Sequence, residues 1–87
     1  MRVIFKPAFL RQLKKLEPAL QDEAIEKIAL FKNSSNHSAL RVHALHGPLK
    51  GLCSFVVNYR YRIVFVFEKK KIEAVLLAIG DHDVYGG

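Results

Sequence analysis

Between Arg41 and Tyr85 the chain carries imidazoles, cations and a phenol, the side-chain types that can hold and cleave a phosphodiester. They are His43, His46, Lys50, Arg60, Arg62, His82, Asp83 and Tyr85, and most stand at turns between strongly apolar runs. No acidic residue occurs between Glu26 and Glu68, whereas Lys27, Lys32, Arg41, Lys50, Arg60 and Arg62 all fall inside that gap. A cationic surface that also carries titratable groups points first to RNA.

Cleaving RNA through its own 2′-hydroxyl requires a base for the 2′-OH proton, an acid for the departing 5′-oxygen, and cations for the phosphorane. Histidine suits the two proton-transfer roles because both of its protonation states are accessible near neutral pH. His82 is the first choice, at a Gly-Asp-His-Asp turn where Asp83 can orient its ring; the plainer alternative is a surface histidine. Tyr85 is a candidate to stack on a base or to donate its phenol proton, the alternative being a ring tucked against the sheet. Arg62 stands mid-strand among apolar neighbours, an expensive place for a cation unless it faces a polar hollow. It is expected to clamp phosphate, the alternative being an ion pair with Glu68 or Glu73. Arg60 and Arg41 are expected to touch backbone phosphates. Lys50 follows Gly47-Pro48-Leu49, where the flanking glycines let backbone and ligand come close. His43 and His46, three residues apart, are candidates for the cleft, His43 for catalysis and His46 for phosphate.

The same spacing lacks further ligands for a metal, and nothing joins it to Asp81, His82 and Asp83, so neither metal nor cofactor is expected. His37, in a polar loop, reads as solvated. Lys69-Lys70-Lys71 reads as a wet hairpin tip, and Arg11, Lys14 and Lys15 as the solvent face of a helix.

Eighty-seven residues with a 51% apolar fraction make one packed domain, residues 1–87, and exclude intrinsic disorder. The net charge of +6 favours a polyanion or an acidic protein as partner. The single cysteine, Cys53, rules out an intramolecular disulfide and fits a reducing interior, where it packs as a small hydrophobe. Arg2 and Lys6 interrupt the N-terminus, and no apolar run approaches a membrane span, so a soluble cytoplasmic protein is expected.

The elements that would position these groups follow from periodicity. Residues 2–6 alternate as a short strand. Pro7 opens a helix whose apolar positions are Phe9, Leu10, Leu13 and Leu16, and Glu17-Pro18 closes it. A second helix is predicted over 19–32, burying Leu20, Ala24, Ile25, Ile28 and Phe31, followed by a polar loop at 33–36. The period then changes to two, giving strands over 52–57, 61–68 and 72–79 with turns at 58–60 and 69–71. In the middle strand Tyr61, Ile63, Phe65 and Phe67 point one way and Arg62, Val64 and Val66 the other. A β-α-α-β-β-β order gives an α+β domain, with an N-terminal strand, a helical hairpin and a three-stranded antiparallel meander packed on the helices.

This order, with HALHGPLKGL at 43–52, YRIVF at 61–65 and IGDHDVY at 79–85, resembles the RelE/ParE superfamily of toxins from type II toxin–antitoxin modules. The resemblance implies a ribosome-dependent mRNA endonuclease, with a cognate antitoxin, the ribosome and mRNA as partners. A ParE-like branch that poisons DNA gyrase is the alternative, and a catalytically degenerate antitoxin-binding module a third. In the pattern of the family, His43, His82 and Tyr85 look like YafQ-type site residues, and Arg62 looks like the strand arginine aimed at the scissile phosphate. The preceding strand, Cys53-Ser54-Phe55-Val56, lacks the basic residues that RelE-type nucleases carry there.

Overall fold

The computed structural model describes residues 1–81 and Val84. His82, Asp83 and Tyr85, three of the residues singled out above, lie outside the described residues. The described chain runs β1 (Arg2–Phe5), α1 (Pro7–Lys14), α2 (Pro18–Phe31), β2 (His43–Ala44), β3 (Cys53–Val56), β4 (Arg62–Glu68) and β5 (Glu73–Gly80). The five strands form one sheet in the order β1-β5-β4-β3-β2. The meander β3-β4-β5 is antiparallel, while β1 pairs with β5 in parallel. The α+β architecture is as the periodicity predicts. The addition is β2, two residues that pair His43 with Ser54 and Ala44 with Cys53.

Each helix begins on a proline at its first position, where the missing N–H has no partner to lose. Glu17 is held extended (ψ 147°) ahead of Pro18, which separates the helices. The amide of Gln21 ties the corner by donating to the carbonyls of Leu16 (2.7 Å) and Lys14 (3.3 Å). From α1 only Phe9 is fully buried, and from α2 Ala24, Ile28 and Phe31, a spacing that keeps one stripe against the sheet. Leu10 and Ile25, expected in the stripe, are 38% and 54% exposed. Each follows a fully buried residue, Phe9 or Ala24, and one helical step turns it about 100° away.

Ile63 and Phe65 of β4 are buried on the helix side, with Tyr61 and Phe67 packed partly against the same core. Phe31 is the hinge of that core. Its ring stacks on Phe55 (4.2 Å between centroids, 11° between planes) and meets Phe65 edge-on (4.8 Å, 65°). On the second face Ser54 and Val64 are buried, while Arg62 and Val66 are half-buried. Val84 lies against this face: a Cβ added at Gly80, the register partner of Arg62, would approach the Val84 Cβ to 3.3 Å.

Candidate nucleic-acid interface and active site

The turn between β3 and β4 is organised by one residue. The Asn58 side-chain oxygen accepts from the backbone N–H groups of Arg60 (2.9 Å) and Tyr61 (2.8 Å), closing an Asx-type turn. Its amide nitrogen donates to Glu23 on α2 (2.8 Å), tying the turn to the helix layer. The backbone carbonyls of Asn58 and Tyr61 accept from Arg62 Nη1 at 2.7 and 3.2 Å. One nitrogen of the guanidinium therefore anchors the side chain, and among the described residues Nε and Nη2 have no hydrogen-bond partner. No carboxylate pairs with Arg62 among the described residues. Glu73, the suggested partner, instead faces Arg2 (3.8 Å) and Lys69 (3.7 Å).

Beside this turn lies a cleft of about 350 Å³ whose polar lining comprises Arg62, Arg41, Lys27, Glu23, Asn58 and Tyr59. Its three cations come from β4, from the chain ahead of β2, and from α2. Arg41 adopts a left-handed backbone (φ 56°), a conformation that costs a side-chain-bearing residue roughly 1–2 kcal/mol and is held only where its surroundings enforce it. Its carbonyl accepts a 2.7 Å hydrogen bond from His43 Nδ1. Because a carbonyl only accepts, Nδ1 must carry the proton, and the neutral ring presents Nε2 as a bare lone pair.

Register brings His43 and Arg62 to one face. His43 is opposite Ser54, Ser54 opposite Val64, and Val56 opposite Arg62, so all five belong to the second face. Two strand spacings across and two residues along put their Cα atoms roughly 12 Å apart, leaving room for a nucleotide between the two side chains. Exposed imidazole and anchored guanidinium thus flank one strip of sheet.

The other candidates lie around this centre. Arg60 is exposed, with its guanidinium 5.9 Å from the Tyr61 ring centroid. His46 and Lys50 are exposed and bracket a 3-10 turn at Gly47–Leu49, where Gly47 (φ 64°) and Gly51 (φ 96°) take left-handed geometry. None of these three lines the arginine cleft. Four polar residues of the cleft are not among the candidate site residues: Glu23, Lys27, Asn58 and Tyr59. The last is 93% exposed, an aromatic ring held out in solvent by an ordered turn.

His37 is a correction. Rather than being merely solvated, it is half-buried, its Nε2–H donating to the Phe31 carbonyl (2.7 Å), with its ring stacked on Phe31 (4.8 Å, 17°). It finishes α2 and caps the aromatic core. Burial pushes the Cys53 thiol above its ordinary range, against the lowering influence of Lys71, so the group is a neutral packing side chain near pH 7. Among the described residues no cluster of His, Cys, Asp and Glu is placed to hold a metal ion, and no helix is long and apolar enough to cross a membrane.

Neither a family model nor a curated protein sequence matches the chain. Solved structures do. A chain of the toxin–antitoxin complex RelBE2 from Mycobacterium tuberculosis superimposes with a TM-score of 0.72 at 22% identity, over 92% of this chain and 95% of that one. The conserved hypothetical protein HP0894 from Helicobacter pylori gives 0.71 at 20% identity, over 98% of each chain. YafQ from E. coli gives 0.70 at 11% identity, over the whole of both chains. Likeness over the full length at such low identity is a likeness of backbone, and it agrees with the sheet order and helical hairpin described above: the chain shares the fold of these RelE- and YafQ-like structures.

Proposed function

We propose that this protein is the toxin of a type II toxin–antitoxin pair and a metal-independent endoribonuclease that cuts mRNA on the ribosome in the cytoplasm. The observations that support the reading are the cleft that Arg62, Arg41 and Lys27 line beside the β3–β4 turn, and the imidazole of His43, which bonds the Arg41 carbonyl and shares the second face with Arg62. Nε2 of His43 takes the 2′-hydroxyl proton, and the 2′-oxygen attacks the adjacent phosphorus. Arg62 and Arg41 hold the charge of the phosphorane, and His82 or Tyr85 returns a proton to the leaving 5′-oxygen. Tyr59 offers its ring to a neighbouring base. An open cleft of this size fixes few substrate atoms, so the ribosome must supply positioning, which can account for roughly 7–11 kcal/mol of a barrier. Purified protein added to a defined message should therefore cut it only when ribosomes are engaged, with ends mapped by primer extension. Equal cutting of naked RNA would refute the ribosome requirement.

A second reading is a ParE-like toxin that binds DNA gyrase. It is favoured by β3, whose second-face residues are Ser54, buried, and Val56, with no base or cation to add to the site. Inhibition of supercoiling, with messages left intact, would select it. Both readings assign the protein a cognate antitoxin; the structures it resembles include chains of RelBE2 and of the YoeB-YefM complex from Staphylococcus aureus.

A further inference from the structure

A second cavity, about 750 Å³ in volume, shares no residue with the arginine cleft. Its walls are the start of β1, the chain just past α2, and the β4–β5 hairpin. Arg2, Lys32, Lys71 and the α-amine of Met1 line it, and no carboxylate does. Its apolar wall is Phe67, together with Ile72, which is 65% exposed.

Arg2 Nε lies 3.8 Å from Glu73, but two ordinary explanations for Lys32 and Lys71 fail. Lysines near a helix C-terminus often serve its last carbonyls. Here those acceptors already have donors: Asn36 Nδ2 and the Asn33 N–H for Leu30, His37 for Phe31, and the α-amine for Lys32. A solvated hairpin tip does not explain Lys71 either. Lys69, Lys70 and Lys71 all adopt left-handed backbone (φ 50°, 58° and 69°), where glycine or asparagine would fit at much lower cost. That strained run turns the Lys71 ammonium back over Phe67, 5.6 Å from the ring centroid. A costly backbone that aims a cation into a cavity is a mark of function.

We infer that this cleft binds a phosphate ester of mononucleotide size, with its phosphate on Arg2, Lys32 and Lys71 and its apolar part against Phe67 and Ile72. The volume falls within the range of small-ligand sites. A phosphate monoester carries nearly two negative charges at pH 7 and three strong acceptor oxygens, which matches several converging cations better than one carboxylate does. A free nucleotide and the phosphorylated end of an RNA chain present the same chemistry.

The test is a titration of isotope-labelled protein with adenosine monophosphate, and separately with adenosine, followed by the amide resonances of Ser34, Phe67, Lys71 and Ile72. Saturable shifts at these residues are expected with the phosphate ester, and shifts at least tenfold weaker with the nucleoside. Lys32→Ala and Lys71→Gln, each checked by thermal melting, should weaken the phosphate ester roughly tenfold, the loss of one charge-assisted hydrogen bond. Arg62→Ala should change nothing here, so the inference stands or falls apart from the endonuclease reading. A short oligoribonucleotide with a 5′-phosphate, compared with its dephosphorylated copy, identifies an RNA end if the phosphate tightens binding beyond that of the mononucleotide. A free nucleotide is identified if it does not. Shifts spread evenly over surface lysines, or none that saturate at these residues, would overturn the assignment.

Discussion

At the scale of single residues, the site depends on how few of its polar groups are spent on the fold. Arg62 commits one guanidinium nitrogen to its own turn, and His43 commits Nδ1 to Arg41, so each side chain is aimed without being used up. Tyr59 is the sharpest case, since nothing about packing requires an aromatic ring at 93% exposure. Stacking on a base is worth roughly 1–3 kcal/mol, so Tyr59→Ala should weaken binding of single-stranded RNA about tenfold while Tyr59→Phe leaves it unchanged. Fluorescence anisotropy with a labelled oligonucleotide measures both; equal loss in the two variants would point to the hydroxyl instead. The chemical types at Arg41, His43 and Arg62 were legible in the sequence because a cation or imidazole between apolar runs needs a reason to be there. Tyr59, Lys27 and Glu23 were not, since a turn tyrosine and the polar face of a helix look alike whether or not a cleft forms between them.

At the scale of elements, alternation made β3, β4 and β5 readable to within about a residue, and the prolines at 7 and 18 set the helix starts. Beyond that reach is β2: a pair of residues cannot display a period, and His43–Ala44 is a strand only because β3 offers it an edge. His37 reads as solvated in the sequence because its stacking on Phe31 is a tertiary contact that no local pattern announces. The β4–β5 hairpin carries its own prediction. Replacing Lys70, whose φ is 58° and which does not line the neighbouring cavity, with glycine removes a left-handed penalty. Lys70→Gly should stabilise the fold by about 1 kcal/mol, or raise the melting temperature by some 4–8 °C in a domain this small. A fall in stability would show that the lysine side chain holds the turn by a contact of its own.

At the scale of the whole molecule, the charge of +6 is neither scattered nor neutralised. The two ion pairs found among the described residues both end on Glu73, and the arginine cleft sets three cations against the single carboxylate of Glu23, which bonds Asn58. The cationic cleft therefore keeps its field. If Lys27, Arg41 and Arg62 each contact a phosphate, the logarithm of the affinity for single-stranded RNA should fall against the logarithm of salt concentration with a slope of about −2, and Arg62→Ala should make that slope shallower by about 0.7. A slope near zero would mean that the field plays no part. The fold itself resembles chains solved from several bacteria, yet at identities of 22% and below the likeness speaks for the scaffold alone.

The most direct test of the account is cleavage of ribosome-bound message by the wild-type protein, His43→Ala and Arg62→Lys, each shown to be folded. Loss of a general base removes on the order of 10²–10⁴ from the rate, so His43→Ala should cut at least a hundredfold more slowly. Arg62→Lys keeps the charge but loses the planar fork, and should also be markedly slower. Wild-type rates in both variants would contradict the assignment of this face as the place where the phosphodiester is held and cut.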